Sequence, residues 1–390
     1  MIYVGIDVAK NKHDCFIINS EGEHLADPFM VQNNRKGFDD LYRKICSVAS
    51  DLSDVKIGLE ATGHFSRNIH GFLVEKGLTT CLLNPLQTSL FRKGLSLRKT
   101  KTDKVDARTI ALMLMSDIDL ESYSDTSYHN QELKSLTRYR YTKVQERSRL
   151  KASIARLVVI LFPELEAIVS DLHLASVYAL LDEFPGASQI ASAHLTRLSN
   201  LLSTASNGSF DKNTALEIRN AARTSVGSTS ATTSLELRQT IRLIREYDAL
   251  IGEIEASIQQ LMNEIDPPII SIKGIGFRMG SIILAEVGDF SRFSNPDKVL
   301  AYAGLSPSTY QSGQLESSHS KMEKRGSRYL RYAIIQATKY VCRWEPVFAE
   351  YLAKKLAEGK HYNVAITHAA KKLVRVIYRL QTSGQAYRAV

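Results

Sequence analysis

Apolar and polar positions along the first 115 residues fall into short runs with two different periods. Ile2–Val8 is an apolar run that predicts a strand. Cys15–Asn19 (CFIIN) follows a turn-like Lys10–Asp14, so the two runs predict an antiparallel hairpin. His24–Val31 adds a third strand. Phe38–Ala49 has the apolar spacing of a helix, Val55–Glu60 (VKIGLE) reads as a strand, Phe65–Glu75 as a helix and Thr79–Asn84 as a strand. Thr102 is placed to cap a helix that runs to about Met115. The order is three strands, a helix, strand–helix–strand and a closing helix, which is an α/β arrangement.

The pattern then becomes helical. Gln131–Phe162 predicts one long helix stopped by Pro163, with Lys134, Arg138, Arg140, Lys143, Arg147, Arg149, Lys151 and Arg156 and only Glu146 between them. Within Ser203–Ser234, the stretch TSVGSTSATTS predicts an exposed connector. A heptad follows. Leu237, Ile244, Ile251, Ile258 and Ile265 recur every seven residues, with Thr240, Tyr247, Ile254 and Leu261 three residues after the first four. At 1.5 Å per residue this seam is about 43 Å long, and Pro267–Pro268 ends it. It suits either an antiparallel hairpin with 131–162 or an intermolecular coiled coil. The remaining residues predict a compact, mostly helical unit. These shifts divide the chain into 1–125, 126–266 and 267–390.

Composition narrows the class. The 390 residues are 44 % hydrophobic and 23 % charged, which excludes wholesale disorder. No apolar run reaches about 18 residues, so no membrane span is expected, and MIYVGIDVAK lacks a basic leader region, so no signal peptide is expected. Cys15, Cys46, Cys81 and Cys342 match no disulfide or zinc spacing, and a reducing cytoplasm fits best. The net charge is +9. Glu316–Val390 holds 15 basic and 5 acidic residues, and Arg92–Arg156 holds 15 basic and 8 acidic. Two concentrated basic blocks point to nucleic acid.

Four acids stand out. Asp7 lies inside an apolar strand, where a carboxylate is costly without a partner. Glu60 ends the strand in IGLEATG, and Asp103 and Asp106 share one helix face in KTDKVDAR. The latter pair also suits a helix N-terminus by itself. Clustered carboxylates call for a divalent cation, and hard oxygen ligands suit Mg²⁺ or Mn²⁺. Lys99, Lys101, Lys104 and Arg108 surround the pair and suit a phosphate backbone. Downstream, Lys273, Gly274 and Gly276 in KGIGFRMG predict a helix-hairpin-helix-like phosphate contact. Ser312 precedes Gly313 in AYAGLSPSTYQSG; read alone this is an ordinary turn, and Ser308 and Tyr310 compete as nucleophiles. Lys321, Lys324, Arg325, Arg328 and Arg331, interleaved with Tyr329 and Tyr332, suit phosphate contact and base stacking. On the long helix, Arg138, Arg140, Lys143 and Arg147 extend the basic track.

YVGIDVAK, IGLEATG, KTDKVDARTIA, KGIGFRMGSIILAEVGDFSRF, AYAGLSPSTYQSG and KRGSRYLRYA, in this order, resemble the transposases of the IS110 family from end to end. The element order is also the one used by ribonuclease-H-like folds. The resemblance implies an N-terminal RuvC-like domain with a DEDD set (Asp7, Glu60, Asp103, Asp106), a helical coiled-coil arm and a C-terminal Tnp domain with a catalytic serine, Ser312. It further implies Mg²⁺-assisted recombination of donor and target double-stranded DNA, guided by a structured noncoding bridge RNA. It implies a homo-tetramer whose active site combines the acids of one protomer with the serine of another. Ser327 stands where KRGN is common, and Lys273 where Pro is common. The alternative is a metal-dependent RuvC-like nuclease or junction resolvase with no covalent serine step.

Overall fold

The computed structural model describes the chain except residues 61–64, 84, 96–102, 117–127, 308–310, 313–314, 317–321 and 389–390, and the side chains at 85–87, 103–104, 128–130, 311–312 and 315–316. It divides into two compact units, Met1–Ser127 and Tyr128–Val390.

The first unit is built on a five-stranded sheet. β1 (Ile2–Val8), β2 (Lys12–Asn19) and β3 (His24–Gln32) form an antiparallel meander. β4 (Val55–Glu60) and β5 (Thr79–Leu83) extend it in parallel from β1, giving the order β3-β2-β1-β4-β5. Even-numbered positions of β1 (Val4, Ile6, Val8) join Ile57 and Leu59 of β4 in one core. That core is completed by α1 (Arg35–Val48) and α2 (Arg67–Glu75). Asn34 caps α1 by accepting from the Gly37 amide at 2.9 Å. α3 (Pro85–Leu95) follows β5, in a stretch between Asn84 and Thr102 to which the apolar pattern assigns no element.

α4 (Asp103–Met115) closes the opposite face of the sheet. Gly5 and Gly58 are partners across β1 and β4. A Cβ on Gly5 would stand 2.1 Å from the Ala107 carbonyl oxygen, and one on Gly58 would stand 2.8 Å from Ile110 Cγ2. The missing side chains, with Ala107 and Ala111 facing them, let the α4 backbone rest directly on the strands.

The second unit is helical. α5 (Tyr128–Leu161) and α11 (Ala231–Ile265) pack antiparallel over most of their length, and the heptad positions Leu237, Thr240, Ile244, Ile251, Ile254 and Ile258 are buried within the chain. The seam is thus satisfied intramolecularly. Between these helices lie α6 (Leu165–Ile168), α7 (Ala175–Glu183), α8 (Ala187–Ser192), α9 (Leu195–Ala205) and α10 (Lys212–Arg223), which share a core with the adjoining ends of α5 and α11. The Ser/Thr/Ala-rich connector is shorter than its composition suggests. Residues 225–230 form neither helix nor strand, while 231–234 already form the first turn of α11 behind an N-cap from Ser230. Glu164 pins it by accepting from Ser225 Oγ and the Val226 amide.

After a 3₁₀ turn at Pro268–Ser271 come α12 (Phe277–Val287), α13 (Pro296–Tyr302), the two-residue strands β6 (Gln311–Ser312) and β7 (Leu315–Glu316), α14 (Arg328–Trp344), α15 (Pro346–Ala357) and α16 (Tyr362–Ser383). Leu133, Ile254, Ile258 and Met262 belong to the same core as these helices. The segments 126–266 and 267–390, distinct in sequence, therefore share a core.

Candidate active site and nucleic-acid interface

The α4-covered face of the sheet gathers the acids. Asp7 alternates with Tyr3 and Gly5 on β1, so it points to the side where Gly5 meets α4. Glu60 follows Leu59, the partner of Ile6, and shares the face of Gly58. Asp106 is buried at the start of α4, next to Ala107, which touches β1 two residues from Asp7. Asp103 opens the same helix. Asp7, Glu60 and the start of α4 are thus brought to one end of one face.

Two residues at this end were missed by sequence reasoning. Asp14 is the direct cross-strand partner of Asp7 and is buried. Reading Lys10–Asp14 as a turn hid it; β2 starts at Lys12, and Asp14 alternates with Phe16 and Ile18 toward α4. Arg92, from the unanticipated helix α3, forms an ion pair with Asp106. In the sequence Arg92 is one of many basic residues opening a cationic block and gives no signal for this pairing.

Among the described residues, no three His, Cys, Asp or Glu side chains are grouped closely enough to hold a metal ion. The Asp103 side chain lies outside those residues. The donors are nonetheless of the right kind. Asp7, Glu60 and Asp106 are carboxylates on one face, and Arg92 shows that a cation is already drawn to Asp106. That chemistry fits Mg²⁺ or Mn²⁺.

The basic track on α5 differs from the sequence expectation. Arg138 grips the buried Glu286 of α12 with Nε at 2.6 Å and Nη2 at 2.9 Å. Arg140 pairs with Glu255, which also binds Arg278. Lys143 pairs with Glu146, Arg147 with Asp248 and Arg156 with Glu236. The antiparallel α11 brings acids that are remote in sequence alongside Arg140, Arg147 and Arg156, while Arg138 finds its partner on α12 and Lys143 on α5 itself. Burial pushes the Glu286 carboxyl up, but hydrogen bonds from Arg138 and Ser327 outweigh it and hold the group below the ordinary carboxylate range.

Glu286 also joins α5 to the start of α14. Ser327 Oγ donates to it at 2.7 Å while capping α14 by accepting from the Leu330 amide. The chain closes on itself just before this cap: Ser327 N donates to Tyr302 O at 2.9 Å, and Glu323 N to Ser306 O at 3.1 Å. Arg331 is largely structural, since its Nη1 donates to the Ala303 and Lys324 carbonyls. Lys324, Arg325 and Arg328 are exposed, with Arg328 over the Tyr329 ring. Tyr141 of α5 meets Tyr329 and Tyr332 edge-on. Ser312 lies in β6 opposite Leu315. Its side chain, and Lys99, Lys101, Lys321 and the Lys104 side chain, lie outside the described residues. Arg108 is exposed on α4.

The helix-hairpin-helix-like expectation meets a different geometry. The segment before Gly274 is a single 3₁₀ turn, and Gly274 (φ 96°) packs on the α14 backbone, where a Cβ would stand 2.7 Å from Val341 N. Lys273 and Gly276 remain exposed at the start of α12.

Comparison with known proteins agrees with this architecture. Residues 4–163 match the model of the IS110 DEDD transposases, and residues 267–353 match that of the IS116/IS110/IS902 family of transposases. An uncharacterized 42 kDa protein of insertion element IS900 from Mycobacterium paratuberculosis is 25 % identical, covering 99 % of this chain and 97 % of its own. An uncharacterized 44.8 kDa protein of insertion element IS116 from Streptomyces clavuligerus is 23 % identical over 97 % of this chain and 94 % of its own. A pilin gene-inverting protein of Moraxella bovis is 22 % identical over 96 % and 94 %. The chain belongs to the IS110 family of transposases and is an enzyme of DNA recombination. Among the described residues, no helix is long and apolar enough to cross a membrane.

Proposed function

We propose that this transposase is a site-specific DNA recombinase with a serine nucleophile, a RuvC-like (ribonuclease-H-like) first unit and guidance by a structured bridge RNA. The observation that carries the first half is the gathering of Asp7, Glu60 and the start of α4 on one sheet face. The sheet order β3-β2-β1-β4-β5 supports the RuvC-like reading. The pilin gene-inverting relative supports site-specific strand exchange.

Asp7, Glu60, Asp103 and Asp106 would hold Mg²⁺ or Mn²⁺, which when bound supplies Lewis-acid stabilisation of charge on the scissile phosphate. Ser312 Oγ attacks phosphorus. The Oγ–P bond forms as the bond from phosphorus to the leaving sugar oxygen breaks; the hydroxyl proton passes to solvent and the sugar oxygen takes one up. A sugar hydroxyl of the exchanged strand then attacks the phosphoserine, breaks the Oγ–P bond and reseals the backbone. The phosphoserine conserves the bond energy while strands exchange. Exposed Arg108, Lys273, Lys324, Arg325 and Arg328 would contact nucleic-acid phosphates, and the Tyr141–Tyr329–Tyr332 cluster would offer a face to an unpaired base. Assembly would be a tetramer in which acids and serine come from different protomers.

The test is capture of a denaturant-resistant protein–DNA adduct in the presence of Mg²⁺. Ser312→Ala is expected to lose both adduct and recombination. Metal-dependent cleavage that survives this substitution would instead establish the metal-only nuclease.

A further inference from the structure

α16 carries a cationic row that the sequence reading did not single out. His368, Lys371, Lys372, Arg375 and Arg379 recur at positions i, i+3, i+4, i+7 and i+11, so they share one face. The opposite face, with Ala369, Leu373, Val374 and Ile377, is buried in the core. The row is about 16 Å long. It lines an open groove of about 510 Å³ with Tyr351 of α15. The Lys372 ammonium sits 5.2 Å from the Phe348 ring and 5.1 Å from the Tyr351 ring, which holds it at the groove wall.

Neutralisation here is slight. Arg375 meets Asp297 of α13 at 3.4 Å, with both side chains mostly exposed, which makes a weak pair. Glu358 is shared by Lys355 and Lys360. Among the described residues, Lys371, Lys372 and Arg379 form no ion pair. This is the reverse of α5, where each arginine of the row facing α11 meets a carboxylate. The groove lining is cationic and aromatic, with no amide or carboxylate side chain to read an adenine or cytosine edge.

We propose that the α15–α16 groove seats the phosphodiester backbone of duplex DNA, independently of sequence. The choice of DNA rests on the family's action on DNA, but not on the serine or metal chemistry. α16 also lies beyond the residues matched by either family model. His368 provides an internal reporter. Burial and the charges of Lys371, Lys360 and Lys355 hold its imidazole below its ordinary value, opposed only by Glu358. A phosphate in the groove opposes that field, so binding takes up a proton and strengthens as pH falls.

The experiment is fluorescence anisotropy of the full chain with a 30-base-pair DNA duplex, over a salt series, with divalent metal chelated so that no cleavage contributes. Lys371→Gln/Arg379→Gln is expected to weaken binding roughly tenfold on duplexes of unrelated sequence. It should also make the slope of log affinity against log salt shallower by about 1.8. His368→Gln should flatten the pH dependence. An unchanged affinity and slope, or a loss confined to a structured RNA probe, would overturn the proposal. Adduct formation by Ser312 can fail while this binding result stands, and the reverse.

Discussion

At the scale of single residues, charge is decided by what lies across the fold rather than along the chain. Glu286 sits between apolar neighbours in ILAEVGD and gives no hint of a partner; only the fold supplies Arg138 and Ser327. Its depressed carboxyl makes a signed prediction. Stability from this pair is fully present above the unfolded carboxylate value near 4.5 and is lost as pH falls through the lower folded value. Acid unfolding monitored by circular dichroism should therefore be less steep in Glu286→Gln, and Glu286→Ala should cost about 3 kcal/mol in urea unfolding at pH 7, because Arg138 loses its partner. Asp14 makes a second prediction. If it belongs with the acids at Asp7, Asp14→Asn should lower metal-dependent cleavage at least tenfold while duplex binding stays at the wild-type level. Asp7 stood out as a candidate because it interrupts an apolar strand; Glu60, Asp103 and Asp106 joined it only as carboxylates at the ends of neighbouring elements. Asp14 was not legible, because a lysine-rich approach disguised the start of its strand.

At the scale of elements, hydrophobic period was the reliable guide. β1, β4 and α4 lie within a residue of where the pattern put them, and the heptad of α11 is buried as its spacing requires. What period does not reveal is whether a seam is filled within the chain or by another copy; of those two options, the structure shows the hairpin with α5. The α4 seat is testable by volume. Gly5→Ala presses on the Ala107 backbone, whereas Gly58→Ala presses on the side chains of Ile110 and Leu114. Gly5→Ala should be the more destabilising of the two in thermal unfolding, by roughly 1–3 kcal/mol against less. It should also reduce cleavage more, since lifting α4 moves Asp103 and Asp106. On the arm, Arg147→Gln and Arg140→Gln should leave the salt dependence of DNA binding unchanged, in contrast to Arg328→Gln.

At the scale of the whole molecule, the surplus of positive charge is divided between two fates. Along α5 it is spent within the protein, in rungs running from Arg140–Glu255 through Arg147–Asp248 to Arg156–Glu236. Toward the C-terminus, on α14 and α16, much of it remains exposed. The total of +9 could not distinguish the two. These fates also govern how the protein can be handled. At 1 M salt the screening length is about 3 Å, enough to strip bound nucleic acid from exposed cations during purification. The rungs on the arm surface weaken in the same wash, yet the apolar seam of α5 and α11 and the buried Glu286 do not depend on them. A high-salt step should therefore deliver nucleic-acid-free protein with its helical content intact, ready for loading with a chosen DNA duplex.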